Sequence, residues 1–250
     1  MFHLALAVLA LGCAAHRAPL PAEAGHILQA AGDNPDTLGE LIYTGYVHDT
    51  SGTPFTYERR VKQEDGQVVS SHLTLDDSGQ AVVLHRATHD SDYALASFEE
   101  IHGQTGLSGA LSVEEDARFS TTRGGEAAAA TEALSDPVHV GPTLFGFVLQ
   151  HWDALLDGEV RHLRFAVLDD ARSYRFRLQL SALEDDRATF QIVATSPLVR
   201  MAVAPMSISF LRETRAVIRY AGPVPPLRSQ SGRLRALDAV VEYEHHAPYR

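Results

Sequence analysis

Thirteen histidines in the chain invite a test for metal ligation. His85 and His89 are four residues apart, which would place both side chains on one face of a helix but about 13 Å apart along a strand. The surrounding sequence predicts a strand, so these two imidazoles cannot share one ion. Glu244, His245 and His246 are consecutive, and consecutive strand residues point to opposite faces. Their position near the C-terminus is typical of a solvated tail, and we predict no metal site.

Motifs of familiar catalytic sites do not occur in this sequence. It contains no Gly-x-Ser-x-Gly elbow, Ser-x-x-Lys pair, His-Glu-x-x-His motif or Gly-Lys-Ser/Thr phosphate loop. Acidic pairs such as Glu99-Glu100 and Asp185-Asp186 fall at predicted strand ends or turns, where solvated surface explains them. We therefore predict no catalytic residue and no cofactor, and keep an exported hydrolase as the third functional alternative.

The only cysteine, Cys13, follows an apolar run from Leu4 to Leu11. That run is too short to cross a bilayer as a helix but suits the apolar region of a signal peptide. The sequence of residues 10–13, Ala-Leu-Gly-Cys, resembles the lipobox of bacterial lipoproteins. This resemblance implies a signal peptide over residues 1–13, lipidation of Cys13, and an outer-membrane lipoprotein facing the periplasm. The alternative is an ordinary signal peptide cut after Ala15 or Ala18, which would release a soluble periplasmic protein.

Composition and charge restrict the class of protein. Hydrophobic residues make up 45% of the chain and charged residues 21%, as in a soluble globular protein. The formal net charge of −11 provides no basic surface of the kind that nucleic-acid backbones require, so we predict no nucleic-acid partner. We expect three kinds of contact instead: the membrane through the lipid anchor, a lipid-like ligand, and an envelope protein partner.

The pattern after residue 38 predicts a mainly β fold. Residues 14–38 are rich in Ala, Pro and Gly and are predicted to be a flexible tether. From Glu40 onward, short stretches of β-branched and aromatic residues alternate with turn signals at about the 8–12-residue spacing of antiparallel sheets. We expect residues 39–247 to form one antiparallel β-domain, a half-open barrel or strongly curved sheet of roughly 10–12 strands. The alanine-rich residues 124–134 are ambiguous between an edge strand and irregular structure.

One amphipathic helix is clearly indicated over residues 143–157. Its apolar positions follow helical spacing, and Gly158 stands where a glycine often ends a helix. The residues of this stripe are Phe145, Val148, Leu149, Trp152, Leu155 and Leu156. A single helix among strands can bury such a stripe only on the sheet, so we expect it to cover the β-domain.

The hairpin that follows the helix alternates apolar and polar residues, which indicates one buried and one solvated face. Arg164, Arg175 and Arg177 fall on the solvated face and are candidates for binding an anionic head group. The alternative is that these arginines form ion pairs with Asp153 and other nearby acids.

Aromatic and large apolar residues of the predicted strands and helix could line a lipid-sized cavity or simply fill the interior, and the sequence leaves both open. The candidates for lining such a cavity are Tyr43, Phe55, Tyr57, Phe145, Leu149, Trp152, Phe165, Phe176, Phe190 and Phe210.

Three segments carry a resemblance to uncharacterised bacterial exported proteins and lipoproteins. They are Tyr-Thr-Gly-Tyr at 43–46, Trp-Asp-Ala-Leu-Leu-Asp-Gly-Glu at 152–159 and Tyr-Arg-Phe-Arg at 174–177. The order of elements also loosely resembles the lipoprotein-localisation proteins LolA and LolB, which implies an apolar cavity closed by helix. The leading hypothesis is thus a non-enzymatic envelope lipoprotein that binds or carries an apolar or amphipathic molecule. The second is a structural or protein-interaction envelope protein with a filled core.

Overall fold

The computed structural model describes residues 20–49 and 55–249 and confirms the mainly β fold, with 58% strand and 17% helix. Fifteen strands form one large open sheet, more than the roughly 10–12 expected. The alanine-rich strand at one edge was ambiguous in the sequence, and the two-residue strand at the other edge, Val138–His139, was not predicted. The predicted signal peptide and Cys13 lie outside the described residues.

The strands are β1 (Glu40–His48), β2 (Phe55–Glu64), β3 (Gln67–Leu75), β4 (Ala81–His89), β5 (Leu95–His102), β6 (Leu107–Val113), β7 (Asp116–Arg123), β8 (Glu126–Ala133), β9 (Val138–His139), β10 (Arg161–Val167), β11 (Arg172–Leu183), β12 (Arg187–Ala194), β13 (Met206–Leu211), β14 (Val217–Gln230) and β15 (Arg233–His245). The helices are α1 (Ala22–Asp33), α2 (Gly141–Gln150), α3 (Trp152–Leu156) and α4 (Pro197–Ala202), with 3-10 turns at Pro35–Leu38 and Leu168–Asp170.

The sheet consists of two meanders, which are joined at the centre where the first strand, β1, pairs with the last strand, β15. Its order runs from β8 back to β1, continues through β15, and then descends to β9. Sequential strands pair antiparallel, as short turns require, whereas β9 pairs parallel with β10. The strands at the two edges, β8 and β9, are therefore neighbours in sequence. Residues 124–134, ambiguous in the sequence, contain the exposed edge strand β8.

Side chains connect the two edges of the open sheet. Glu132 on β8 accepts hydrogen bonds from Arg164 on β10 and from both the backbone N–H and the hydroxyl of Ser173 on β11, the latter two at 2.9 Å. Arg123 on β7 forms an ion pair with Asp169 in the turn between β10 and β11. The sheet therefore curls so that its edges meet through charged groups.

Residues 22–33 form helix α1, so the prediction of a flexible tether over 14–38 is wrong for this segment. Ala24, Leu28 and Ala31 are buried along one side of the helix. They pack against Leu73 and Leu84, which point out of the opposite face of β3 and β4 from His72 and His85. Small alanines hid the amphipathic pattern, and the burial of Leu28 on the outer face of the sheet fixes the helix.

The helix predicted over 143–157 is two helices, α2 and α3, which meet at His151. The backbone of His151 leaves the helical region, with φ −104° and ψ 17°, and its ring packs edge-on against Phe147 at 4.6 Å. Both helices are buried on the inner face of the curled sheet. The expected covering role is thus shared by two helices inside the sheet and by α1 outside it.

Prolines do not interrupt β14, although the Gly-Pro-Val-Pro-Pro sequence at 222–226 is typical of a loop. The pairing of β14 with β15 shifts register between Val224 and Arg228, which accommodates Pro225 and Pro226 because proline cannot donate to the ladder. Residues 224–228, here called the proline segment, cross to the end of β5. The carbonyl of Pro225 accepts a hydrogen bond from His102, 3.0 Å away.

Candidate functional site

The main core contains nine of the ten residues predicted to line a cavity. It lies between α2, α3 and the inner face of β10–β14, and Phe55 instead packs in a separate cluster near Val47 and Val241. The nine residues of the main core are Tyr43, Tyr57, Phe145, Leu149, Trp152, Phe165, Phe176, Phe190 and Phe210. Within this core they contact one another.

Trp152 lies at the centre of this aromatic packing. Its ring centre is 5.4 Å from that of Phe190 and 5.6 Å from that of Phe210, both in edge-to-face geometry. Phe145 adds a third edge-to-face contact with Phe210 at 6.0 Å. Such pairs are favoured by the aromatic quadrupole and stabilise a densely packed interior.

Two of the three arginines predicted to bind a head group already contact carboxylates. Arg164 pairs with Glu132, and Arg175 lies 3.2 Å from Asp136. Asp153, named as a candidate partner of these arginines, instead pairs with Arg215 at 3.4 Å. Arg177 forms no ion pair within residues 20–49 and 55–249, and it is exposed.

Two surface clefts lie away from the predicted cavity. One has a volume of about 250 Å³ and is lined by Asp136, His162, Arg175 and Thr195. The other, about 270 Å³, lies over the outer face of β5–β7, and Glu99 and Arg118 are among its lining residues. Of the residues proposed from the sequence for ligand binding, Arg175 lines one of these two clefts.

A row of polar side chains crosses the inner face of the sheet. Its residues lie directly opposite one another on adjacent strands from β15 through β1 to β5. They are His245, Tyr43, Arg59, His72, His85 and Glu100. Helix α2 covers the row, because Gly141 approaches the rings of both His72 and His85.

Arg59 cross-links this row to helix α2. Its guanidinium donates to the carbonyl of Pro142 at 2.6 Å, to the hydroxyl of Ser70 at 2.9 Å and to Nε2 of His72 at 3.0 Å. The ring of Tyr249 lies 4.5 Å from the same guanidinium, in cation–π geometry. One buried side chain thereby connects β2, β3, the first turn of α2 and the C-terminal segment.

The hydrogen bonds of this network fix the proton positions on two histidines. Arginine only donates, so Nε2 of His72 accepts and its proton sits on Nδ1, where it faces the hydroxyl of Tyr57. Nδ1 of His89 donates to the carbonyl of Asp90 at 2.7 Å, so its Nε2 accepts from Ser70 at 2.8 Å. Both imidazoles are neutral in this arrangement.

Burial and neighbouring charges shift the pKa values of these histidines and tyrosines so that the neutral forms are favoured. Burial, together with the positive charge of Arg59, holds the pKa of His72 well below its usual value. Burial also lowers the pKa of His89 and raises the pKa of Tyr57 and of Tyr43. The network is therefore built from neutral rings and hydroxyls around one guanidinium.

Glu100 ends the row beside two histidines. Its carboxylate lies 3.5 Å from Nε2 of His85. Burial alone would raise the pKa of Glu100, but the charges of His85, His102 and Arg123 lower it below its usual value. Nδ1 of His102 is buried and has no hydrogen-bond partner among the described residues, while its Nε2 faces the proline segment. Glu100 and His85 are largely covered by the surrounding chain.

The C-terminal residues are docked on the sheet, so the prediction of a solvated tail is wrong. His245 lies in β15, and its Nε2 donates to the carbonyl of Val217 at 2.6 Å. The backbone N–H of His246 donates to the carbonyl of Ile42 at 2.8 Å. Tyr249 then stacks on Tyr43. Backbone pairing with β1 holds this segment.

The sequence did not reveal the polar row. The alternation rule assigns polar strand residues to the solvated face, whereas Arg59, His72 and Glu100 point inward. A usable signal was present, because β2, β3 and β5 each carry two or three polar or aromatic hydroxyl residues at alternate positions, as at Ser70, His72 and Thr74.

Within residues 20–49 and 55–249, no three or more His, Cys, Asp or Glu side chains are grouped so that they could hold a metal ion. None of the helices in these ranges combines the length and apolarity needed to cross a membrane.

Comparisons with known proteins give only distant likenesses. No protein-family model matches the sequence, and no curated protein matches it. A DUF1089 family protein from Pseudomonas aeruginosa aligns with a TM-score of 0.33 and 14% identity, covering 71% of this chain and 88% of that one. A porin-like protein from Bacteroides uniformis aligns with a TM-score of 0.30 and 12% identity, covering 84% and 97% respectively. At these TM-scores neither likeness supports a function, and the resemblance to LolA and LolB stays an expectation.

Proposed function

We propose that this chain is a non-enzymatic cell-envelope lipoprotein that acts through its outer surface as a structural or interaction protein. The observation that carries the proposal is the packed interior, in which Trp152, Phe190 and Phe210 contact one another where a ligand would have to lie. In the polar row, the guanidinium of Arg59 is likewise committed to contacts with the carbonyl of Pro142 and the ring of Tyr249. Both surface clefts lie outside this interior.

Native mass spectrometry of the full chain, purified without detergent, tests whether the interior is filled. We expect the mass of the polypeptide with its own covalent lipid and no further stoichiometric ligand. An additional lipid at one copy per chain, displaced by Phe190→Trp but retained in Leu183→Trp, would overturn the filled-core proposal.

The membrane anchor is tested separately at Cys13. We expect Cys13→Ala to move the protein from the salt-washed membrane fraction to the soluble fraction, because a lipid anchor withstands salt whereas electrostatic adsorption does not. Cys13→Ala protein that stays in salt-washed membranes would contradict the anchor.

Carriage of an apolar or amphipathic molecule is a second candidate function, and one observation favours it. The inner face places an aromatic core beside hydroxyl and imidazole groups, an arrangement that suits an amphipathic ligand. The proline segment contacts the end of this face through His102 and through two hydrogen bonds between Gln104 and Leu227, at 2.7 and 2.8 Å. Release of these three bonds would be the opening step, and the additional lipid described above would support this function.

A further inference from the structure

The acidic charge of the chain is unevenly distributed. Residues 160–168, 171–183 and 188–212 together contain seven arginines and no aspartate or glutamate, in a chain whose formal net charge is −11. These ranges cover β10, β11, α4, β13 and nearly all of β12, which are neighbours in the sheet. The strands at this end of the sheet are therefore basic, while five acids lie in the turns between them, at Asp169, Asp170, Glu184, Asp185 and Asp186.

Only part of this basic charge is neutralised within the domain. Arg161, Arg164 and Arg175 pair with Glu159, Glu132 and Asp136, which lie outside the three ranges. Arg177 and Arg200 are exposed and form no ion pair in the part of the chain that the structure describes. Two guanidinium groups on this face are thus available to an external anion.

Helix α4 presents apolar side chains to solvent beside these arginines. Val199 and Val203 are buried in the main core and hold the segment in place. Leu198 and Met201 point away from it and are 47% and 83% exposed, respectively. Arg200 stands between them in sequence. A short element anchored on one side and carrying Leu, Met and Arg on the other is typical of contact with a membrane interface.

A cleft adjoins the start of this helix. Thr195, two residues before α4, lines the 250 Å³ cleft with His162, Arg175 and Asp136. Arg175 shares its charge with Asp136, and the backbone N–H of Thr195 donates to the carbonyl of Arg175 at 3.0 Å. The cleft therefore places the guanidinium of Arg175 and the carboxylate of Asp136 close to the start of α4.

We propose that α4 and the basic outer face of β10 and β11 dock on an anionic phospholipid bilayer. Leu198 and Met201 enter the interfacial layer, while Arg177 and Arg200 pair with lipid phosphates. An anionic bilayer fits this surface for two reasons. Its phosphates complement the local positive charge, and its interfacial layer accommodates the exposed apolar side chains of Leu198 and Met201. The inference rests on the proposed surface-acting role and names its partner.

Hydrogen exchange of the full chain on vesicles tests this docking surface. One set of vesicles contains equal parts of phosphatidylcholine and phosphatidylglycerol, and the other contains phosphatidylcholine alone. We expect protection of residues 196–204 on the anionic vesicles only. Vesicle binding is measured in the Cys13→Ala chain, in which no lipid anchor contributes, and there Leu198→Ser combined with Met201→Ser should weaken binding roughly tenfold or more, since each buried side chain of this size contributes substantially to transfer. Each of Arg177→Gln and Arg200→Gln should weaken it about fivefold.

Ile27→Ser on α1 is the matched control, because it also removes an exposed apolar side chain but leaves α4 and the rest of the chain unaltered. It should bind like the unaltered chain. Equal protection on both kinds of vesicle, no protection of 196–204, or unchanged binding by the Leu198/Met201 variant would overturn the inference. Any of these results, combined with loss of membrane fractionation in Cys13→Ala, would leave the anchored role in place and refute only this surface.

Discussion

Two parts of the interior bury their side chains in different ways. The apolar half consists of β10–β14 with α2 and α3, where aromatic rings meet edge to face around Trp152. The polar half consists of the inner face of β2–β5, where Arg59 and the histidines are buried through a connected set of hydrogen bonds. The stability of the apolar half depends on shape and apolar area, and that of the polar half depends on the hydrogen bonds that Arg59, Ser70, His72 and His89 make with one another and with the backbone.

The difference shows what holds α2 in position. Its apolar residues give it affinity for the β10–β14 side, but apolar packing alone fixes a position only loosely. The contact of Arg59 with the carbonyl of Pro142 gives the first turn of α2 one hydrogen-bonded position over β2 and β3. The polar half therefore specifies where the helix lies, and the apolar half supplies most of the stability.

Removing Trp152 should break the apolar half. We expect Trp152→Ala to lower the free energy of unfolding by about 3–5 kcal/mol, because the indole is buried against Phe190 and Phe210 and leaves a cavity. Urea denaturation followed by circular dichroism measures the change. The control Leu183→Ala, at an exposed position, should change stability by no more than about 0.5 kcal/mol. A wild-type midpoint for Trp152→Ala would show that the helices do not pack on the sheet as described.

Removing the guanidinium of Arg59 should break the polar half. We expect Arg59→Met to cost about 3 kcal/mol, because the carbonyl of Pro142 and the ring of His72 lose a charged donor while buried. Arg118→Met, at an exposed arginine of β7, is the matched control and should be near neutral. Hydrogen exchange should report faster opening of α2 in the first variant. An Arg59→Met protein as stable as the unaltered chain would mean that the polar half is not needed to place α2.

Acid should weaken the interior where neutral histidines are buried, both in the polar half and at His139 on β9, whose ring packs against Phe147 of α2 with 4.4 Å between the ring centres. Burial, helped by the nearby His151 and His89, lowers the pKa of His139 from its usual 6.5 to about 3. As the pH falls, His139 therefore binds a proton in the unfolded chain before it does so in the folded chain. The contribution of the neutral imidazole to the free energy of unfolding is complete above about pH 6.5 and is lost as the pH falls toward 3. Each such histidine contributes up to about 1.4 kcal/mol per pH unit in that window. The lowered pKa values of His72, His89 and His102 act in the same direction.

Denaturation midpoints measured from pH 7 to pH 4 would check this dependence. His139→Asn should make the slope of stability against pH shallower, whereas Gln29→Asn, at an exposed position on α1 that carries no titratable group, is the control. A slope in His139→Asn equal to that of the unaltered chain would contradict a buried neutral His139.

The smallest effect is expected at the contact between the sheet edges. Glu132→Gln keeps the shape of the side chain but removes the charge that Arg164 and Ser173 share. We expect a loss of about 1 kcal/mol and faster hydrogen exchange in β8 and the start of β11. Glu126→Gln, on the same strand but exposed, is the control. Unchanged exchange in β8 would show that the edges are held by packing alone.

Several elements could be predicted because their signals are local. Turn residues such as Asp65-Gly66 and alternating apolar residues placed the hairpins, since both depend on a few neighbouring positions. The stripe around Trp152 located the helical segment for the same reason. Helix α1 could not be predicted, because its small buried alanines become meaningful only against the outer face of the sheet.

The sequence by itself determined the mainly β class, the antiparallel hairpins and the apolar stripe of α2 and α3, because periodicity records which side of an element is buried. Only the tertiary structure decided that Arg59, His72, His85 and Glu100 share one row, since a shift of one residue at any of the three turns between these strands would move a side chain to the other face. It also decided that this row points inward, because an inward polar residue is stable only when distant groups such as Pro142 and Ser70 complete its hydrogen bonds.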